Sequence, residues 1–127
     1  MTKIKCILVI EDDKNLQTAL KVKLEANGWS VIQAFNGREG IETLKQDKVD
    51  AILLDIAMPI MNGFEFLRTM KADERFKDLK VIIISNSIYE PLRTKDVEEL
   101  ISGTPYLIKS NYSLNDIVLK IKEAVEA

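Results

Sequence analysis

The chain has no histidine at all, and that absence removes more chemistry than any other feature of its composition. Ser-His-Asp and Cys-His catalysis, histidine zinc sites and a role as a phosphohistidine carrier are all excluded. A single cysteine, Cys6, allows no intrachain disulfide and no cysteine cluster for zinc. It lies in an apolar run and is expected to be a small buried core residue. No apolar run approaches the ~20 residues needed to span a bilayer, so no membrane span is expected. The first residues, MTKIKCILVI, turn acidic at once and show no small-residue cleavage site, which argues against a signal peptide and leaves the cytoplasm as the expected location. A strong excess of charge of either sign is missing too. The formal net charge is −2 with both signs interspersed, so there is no basic footprint for nucleic acid.

What is present is the apolar and charged mix of an ordinary globular protein, and 127 residues suffice for one sizeable core. One domain spanning residues 1–127 is expected, with no output domain after it. Whatever chemistry the chain performs must use carboxylates, hydroxyls and lysines.

Short apolar runs at residues 6–10 (CILVI), 51–54 (AILL), 81–84 (VIII) and 106–108 (YLI) read as strands buried on both faces. Val31 and Ile32 mark a weaker strand after the Asn27-Gly28 turn. Between these runs the period changes to that of a helix. The stripes are Leu16, Leu20 and Leu24; Ile41 and Leu44; Phe64, Leu67 and Met70; Val97, Leu100 and Ile101; and Leu114, Ile117, Val118, Ile121 and Val125. Strict alternation of strand and helix predicts an α/β fold with a parallel sheet covered on both faces. Strand order is not readable from the pattern; the flavodoxin-like (βα)5 doubly wound order 2-1-3-4-5 is the usual solution.

In such sheets ligands bind beyond the carboxyl ends of the strands. Glu11 and Asp12 follow the first apolar run, Asp55 the third, Ser85 the fourth and Lys109 the fifth. Three carboxylates, a hydroxyl and an ammonium are thereby brought to one edge. Crowded carboxylates resist ionisation unless cations neutralise them. Lys109 supplies one charge, and a hard divalent cation such as Mg²⁺, which favours oxygen ligands, supplies more. A carboxylate beside such an ion can attack a phosphoryl group.

The pattern ILVIEDD, LLDIAMPIMNGFEFL, VIIIS and YLIK, in this order and spacing, resembles the receiver domains of response regulators along essentially the whole chain. The resemblance implies a single-domain, phosphorylation-dependent switch of a two-component system. Asp55 is then the phosphoacceptor, with Glu11, Asp12, Asp55 and the backbone carbonyl of Ala57 forming the Mg²⁺ site. Ser85 is the switch hydroxyl, Tyr106 the switch aromatic and Lys109 the phosphate-binding lysine. The donor is expected to be a sensor histidine kinase or phosphotransfer protein. The output is expected on a separate downstream protein or through a homodimer, without direct contact to nucleic acid or membrane. No metabolite turnover is expected beyond the domain's own phosphoryl transfer and dephosphorylation.

The sequence departs from the family in two places. Ser110 follows Lys109 where proline is usual, often after a cis peptide, which leaves the geometry of that turn open. The stretch from Ser85 to Lys109 is longer than usual, contains Pro91 and Pro105, and has Gly103-Thr104 where the family has Gly-Ala. Among simpler roles, Asp13 suits a helix N-cap, and Gly63 a backbone need in the turn after Pro59, with positive φ as one form of it. Two other readings on similar folds lack their motifs here. A haloacid-dehalogenase-type phosphatase needs a second Asp where Ala57 stands, and a nucleotide-binding domain needs a Gly-rich phosphate loop where Glu11-Asp12-Asp13 stands. A pseudo-receiver, an interaction module not regulated by phosphorylation, is the alternative within the same fold.

Overall fold

The computed structural model describes residues 5–86 and 94–126. The N-terminal MTKI and Pro91, with the segment leading to the fourth helix, lie outside the described residues. Strands β1 (Cys6–Ile10), β2 (Ser30–Ala34), β3 (Ala51–Asp55), β4 (Lys80–Ser85) and β5 (Tyr106–Ile108) alternate with helices α1 (Lys14–Ala26), α2 (Gly37–Gln46), α3 (Gly63–Lys71), α4 (Lys95–Ile101) and α5 (Leu114–Glu126). The strands form one parallel sheet in the order β2-β1-β3-β4-β5. The doubly wound fold and its strand order are those expected.

The burial of the strands follows from their place in the sheet. β1 and β3 are covered on both faces, and Leu8, Val9, Leu53 and Leu54 have no exposed surface. Each such side chain contributes roughly 1.5–3 kcal/mol on leaving water. β2 lies at an edge and is only half-buried, which is why its sequence signal was weak. On one face of the sheet Leu44, Phe64, Phe66, Leu67, Met70, Val97 and Ile101 of α2, α3 and α4 pack against Leu8, Ile10, Ile52, Leu54 and Ile83. On the other, Leu20 and Leu24 of α1 and Ile117, Val118, Ile121 and Val125 of α5 pack against Ile7, Val9, Leu53 and Ile84.

Local chemistry marks the helix ends. Asp13 caps α1 by accepting from the N–H groups of Asn15 and Leu16, as expected for that residue. Asn62 and Glu65 form a reciprocal capping box at α3. Gly28, with φ +86°, reverses the chain between α1 and β2.

Two expectations need correction. Cys6 is half-buried rather than buried: it opens β1 at the N-terminal rim, its N–H bound to Asp50 Oδ2 at 2.8 Å, and its side chain packs only at the border of the core. Gly63 does not have positive φ; that conformation falls on Ile60, φ +70°. Gly63 is needed instead for close approach, because a Cβ there would lie 2.4 Å from the Asp55 carbonyl oxygen and 2.9 Å from Ile56 Cα. No cis peptide occurs among the described residues, so the Lys109–Ser110 bond is trans. No helix among them is long and apolar enough to cross a membrane.

Candidate functional site

Asp55 is the last residue of β3, one position further into the strand than its apolar run suggests, and is 1 % exposed. It is held from both directions. Its strand pairs with β1 and β4, and the start of α3 presses against its main chain through Gly63, whose N–H donates to the Ile56 carbonyl at 2.9 Å. Only a residue without Cβ at position 63 permits that approach. The α3 capping box and the position of the Asp55 carboxylate are therefore coupled.

Glu11 follows β1 and is fully buried. Its N–H donates to the Ala34 carbonyl at 3.0 Å, extending the β1–β2 ladder by one bond. Its Oε2 accepts the Asp13 N–H at 3.0 Å, and its Oε1 takes Lys109 Nζ at 2.5 Å. Asp12 is exposed beside it. Ligand oxygens of Glu11, Asp12 and Asp55 lie within 4.8 Å of one another. Lys109 opens a single 3₁₀ turn, Lys109–Asn111, directly after β5 and reaches back across the sheet edge. Besides Glu11, its Nζ stands 3.4 Å from Asp55 Oδ1. That second contact is an ion pair without hydrogen-bond geometry, and Asp55 Oδ1 is buried without a hydrogen bond.

Burial, and then the neighbouring Glu11 carboxylate, push the Asp55 carboxyl up to about 7, with Lys109 opposing the rise. For Lys109, burial works to lower the pKa, but the hydrogen bond to Glu11 and the Asp55 and Glu11 charges outweigh it and hold the ammonium above its ordinary value. With Asp55 ionised, three carboxylates against one ammonium leave a negative excess of two, which a divalent cation matches. The grouped donors are all carboxylate oxygens, and such a set fits Mg²⁺.

Ser85 ends β4 and is fully buried. It is one residue beyond Ile84, the register partner of Asp55. Tyr106 starts β5 in register with Ile83 and packs against the core on the α2–α3–α4 face. Ala57 is exposed in the loop two residues after Asp55. A groove of about 420 Å³, lined by Leu44, Val49, Phe76 and Leu79 among others, opens at the opposite, N-terminal ends of the strands and contains none of these groups.

One polar residue passed unnoticed in the sequence. Gln17 is 1 % exposed, and its Nε2 donates to the carbonyls of Val9, Glu11 and Ala34 at 2.9, 3.1 and 2.8 Å. Its signal was a polar side chain three and seven residues before Leu20 and Leu24, on the face of α1 that must be buried.

A family model for the response regulator receiver domain matches residues 7–121. The chain belongs to that family. The receiver domain is 34 % identical over 84 residues to protein PilH of Pseudomonas aeruginosa, covering 66 % of this chain and 69 % of PilH. It is 32 % identical over 122 residues to the sensor histidine kinase CheAY of Helicobacter pylori, covering 94 % of this chain but 15 % of that protein. The receiver domain spans about half the length of several other curated relatives it matches. Among solved structures, the response regulator protein TrrA from Thermotoga maritima, crystallised in complex with Mg(2+)-BeF, superposes with a TM-score of 0.78 at 27 % identity, covering 95 % of this chain and 99 % of that one. Receiver domains are signalling regulators of two-component systems, act as phosphorylation-dependent switches, and interact with histidine kinases or phosphotransfer proteins.

Proposed function

We propose that Asp55 is the phosphoacceptor of this receiver domain and that Glu11, Asp12, Asp55 and the Ala57 carbonyl hold its Mg²⁺. The observation that carries this reading is the arrangement of Lys109. One ammonium serves two buried carboxylates at the ends of different strands, within an acidic cluster at the carboxyl edge of the sheet. A structural ion pair needs one carboxylate; here a second is retained beside it although burial and repulsion drive it toward protonation.

Mg²⁺ held by these residues would supply positive charge that lowers the Asp55 pKa and offsets the charge of the phosphoryl oxygens. The Asp55 carboxylate then attacks phosphorus in line with the leaving nitrogen of a phosphohistidine. A P–O bond forms as the P–N bond breaks, and the imidazole departs. Lys109 is placed to neutralise the phosphoryl oxygens, and the turn after β5 keeps it there. Ser85, at the tip of the adjacent strand, donates its hydroxyl to a phosphoryl oxygen, and Tyr106 follows into the space vacated. The altered surface of α4, β5 and α5 binds a separate downstream protein or a second copy of the chain. The domain works in the cytoplasm, where its kinase partner presents phosphohistidine. Its only covalent chemistry is its own phosphorylation and dephosphorylation. A pseudo-receiver has no need of the buried carboxylate pair.

The test is intact mass after incubation with an acyl phosphate or phosphoramidate and MgCl2. The wild type gains one phosphoryl group and Asp55→Asn gains none. Equal labelling of both proteins overturns the assignment.

A further inference from the structure

We propose that Gln17 is a positioning residue of the acidic site, whose buried amide fixes the Glu11–Asp12 peptide and thereby sets the affinity for Mg²⁺. The proposal rests on the reading of Glu11 and Asp12 as metal ligands, and its experiment separates the two.

Gln17 lies on the inner face of α1, where Leu20 and Leu24 are completely buried. An apolar side chain suits that position in every respect but one. Three main-chain carbonyls from the ends of β1 and β2 converge on it, those of Val9, Glu11 and Ala34. Two amide hydrogens serve three acceptors, so one is shared. The amide is retained even though its own Oε1 is buried with no hydrogen-bond partner, an arrangement that costs free energy. What Gln17 gives to the fold is therefore concentrated in its Nε2.

The consequence falls on Glu11. Its N–H is bound to the Ala34 carbonyl and its C=O to Gln17, and the same Ala34 oxygen also accepts from Gln17. Its carboxylate is held by the Asp13 N–H and Lys109. The Glu11 carbonyl shares a rigid peptide plane with the Asp12 nitrogen. A donor fixed on that carbonyl thus orients two of the three clustered carboxylates where the chain leaves β1 for α1. Gln17 touches neither a carboxylate nor Mg²⁺; it acts through the main chain.

The experiment is calorimetric titration with MgCl2 of the wild type, Gln17→Met, Glu11→Gln and Leu24→Ala, with thermal melts of each. Gln17→Met keeps an unbranched side chain without the amide. Leu24→Ala opens a cavity two turns further along the same face and controls for general loosening. Gln17→Met is expected to weaken Mg²⁺ binding by about tenfold or more, the usual effect of losing a group that orients a metal ligand, while Leu24→Ala keeps the wild-type affinity despite its lower melting temperature. If Glu11→Gln weakens binding and Gln17→Met does not, the positioning role is overturned. Equal weakening in Leu24→Ala overturns it as well. If Glu11→Gln binds like the wild type, the ligand assignment itself fails. A measurement on the unaltered protein guards against a variant that does not fold. The side-chain amide resonances of Gln17 are expected to shift on adding MgCl2, and their failure to move overturns the proposal.

Discussion

Asp55 makes the metal-free protein sensitive to pH in a direction opposite to that of most carboxylates. Its ordinary value is 3.8, whereas in the folded protein burial and then Glu11 push it up to about 7. Between those values the folded state holds a proton that the unfolded chain has lost. Unfolding then releases a proton, and stability falls as pH rises through this window. The displacement of about three pH units, at about 1.36 kcal/mol each, amounts to at most about 4 kcal/mol, fully expressed only above pH 7. Asp55→Asn removes the titrating group and preserves the shape of the side chain. The Lys109 bond to Glu11 stays intact, so no buried ammonium is left alone. In EDTA the variant and the wild type should have similar stability near pH 4, and the variant should gain as pH rises, reaching roughly 2–4 kcal/mol at pH 8. For a domain of this size that is an increase of about 10 °C in Tm. Urea and thermal melts of both proteins at pH 4 to 8 measure the difference, in which titrations common to the two cancel. MgCl2 should close the gap at pH 8 by stabilising the wild type. A difference independent of pH, or a variant less stable at pH 8, refutes the reasoning.

Three further perturbations probe the loops around the site. Asp12→Ala removes an exposed member of the cluster and should weaken Mg²⁺ binding by about tenfold with little change in melting temperature; unchanged affinity by calorimetry counts against its role. Gly63→Ala places a methyl 2.4 Å from the Asp55 carbonyl and should cost about 1–3 kcal/mol in a urea titration, with slower phosphorylation as the end of β3 shifts. Ile60→Gly relieves an exposed β-branched residue at φ +70° and should stabilise the domain by up to about 1 kcal/mol; destabilisation would mean that the loop tolerates isoleucine without strain.

The layered fold was legible because both periods were undisturbed. CILVI and AILL are too short and too apolar for surface helices, and the stripe from Leu114 to Val125 fits no strand. The site was legible because parallel strands carry whatever follows them to one edge, so Glu11, Asp12, Asp55 and Lys109 had to converge. Packing against neighbours distant in sequence was not legible. Gly63 is glycine because α3 presses on β3, a tertiary contact that no local turn preference reveals. Cys6 reads as core from its apolar neighbours, yet it stands where the sheet meets the N-terminal rim. Gln17 was hidden by the helical stripe, since the carbonyls that require its amide lie at the ends of β1 and β2.

The pleat decides which helices can register an event at Asp55. In a parallel pair, register partners face the same side, and Ile84, the partner of Asp55, belongs to the core beneath α1 and α5. Ser85 is the next residue and faces the other side, as do Ile83 and its partner Tyr106. That second face is covered by α2, α3 and α4, with Val97 and Ile101 of α4 in the same core as Tyr106. A hydroxyl turning toward a phosphoryl group must therefore turn at the tip of β4, where the two faces meet. In the proposed switch its movement reaches Tyr106 and α4 first, and α5 only after them. The last turn of α4 is tethered, with Lys71 Nζ on α3 donating to the Leu100 carbonyl at 2.6 Å. A shift of α4 must then either break that bond or carry α3 with it, and α3 begins at Gly63 against Asp55. The two ends of the proposed switch are joined through the same helix.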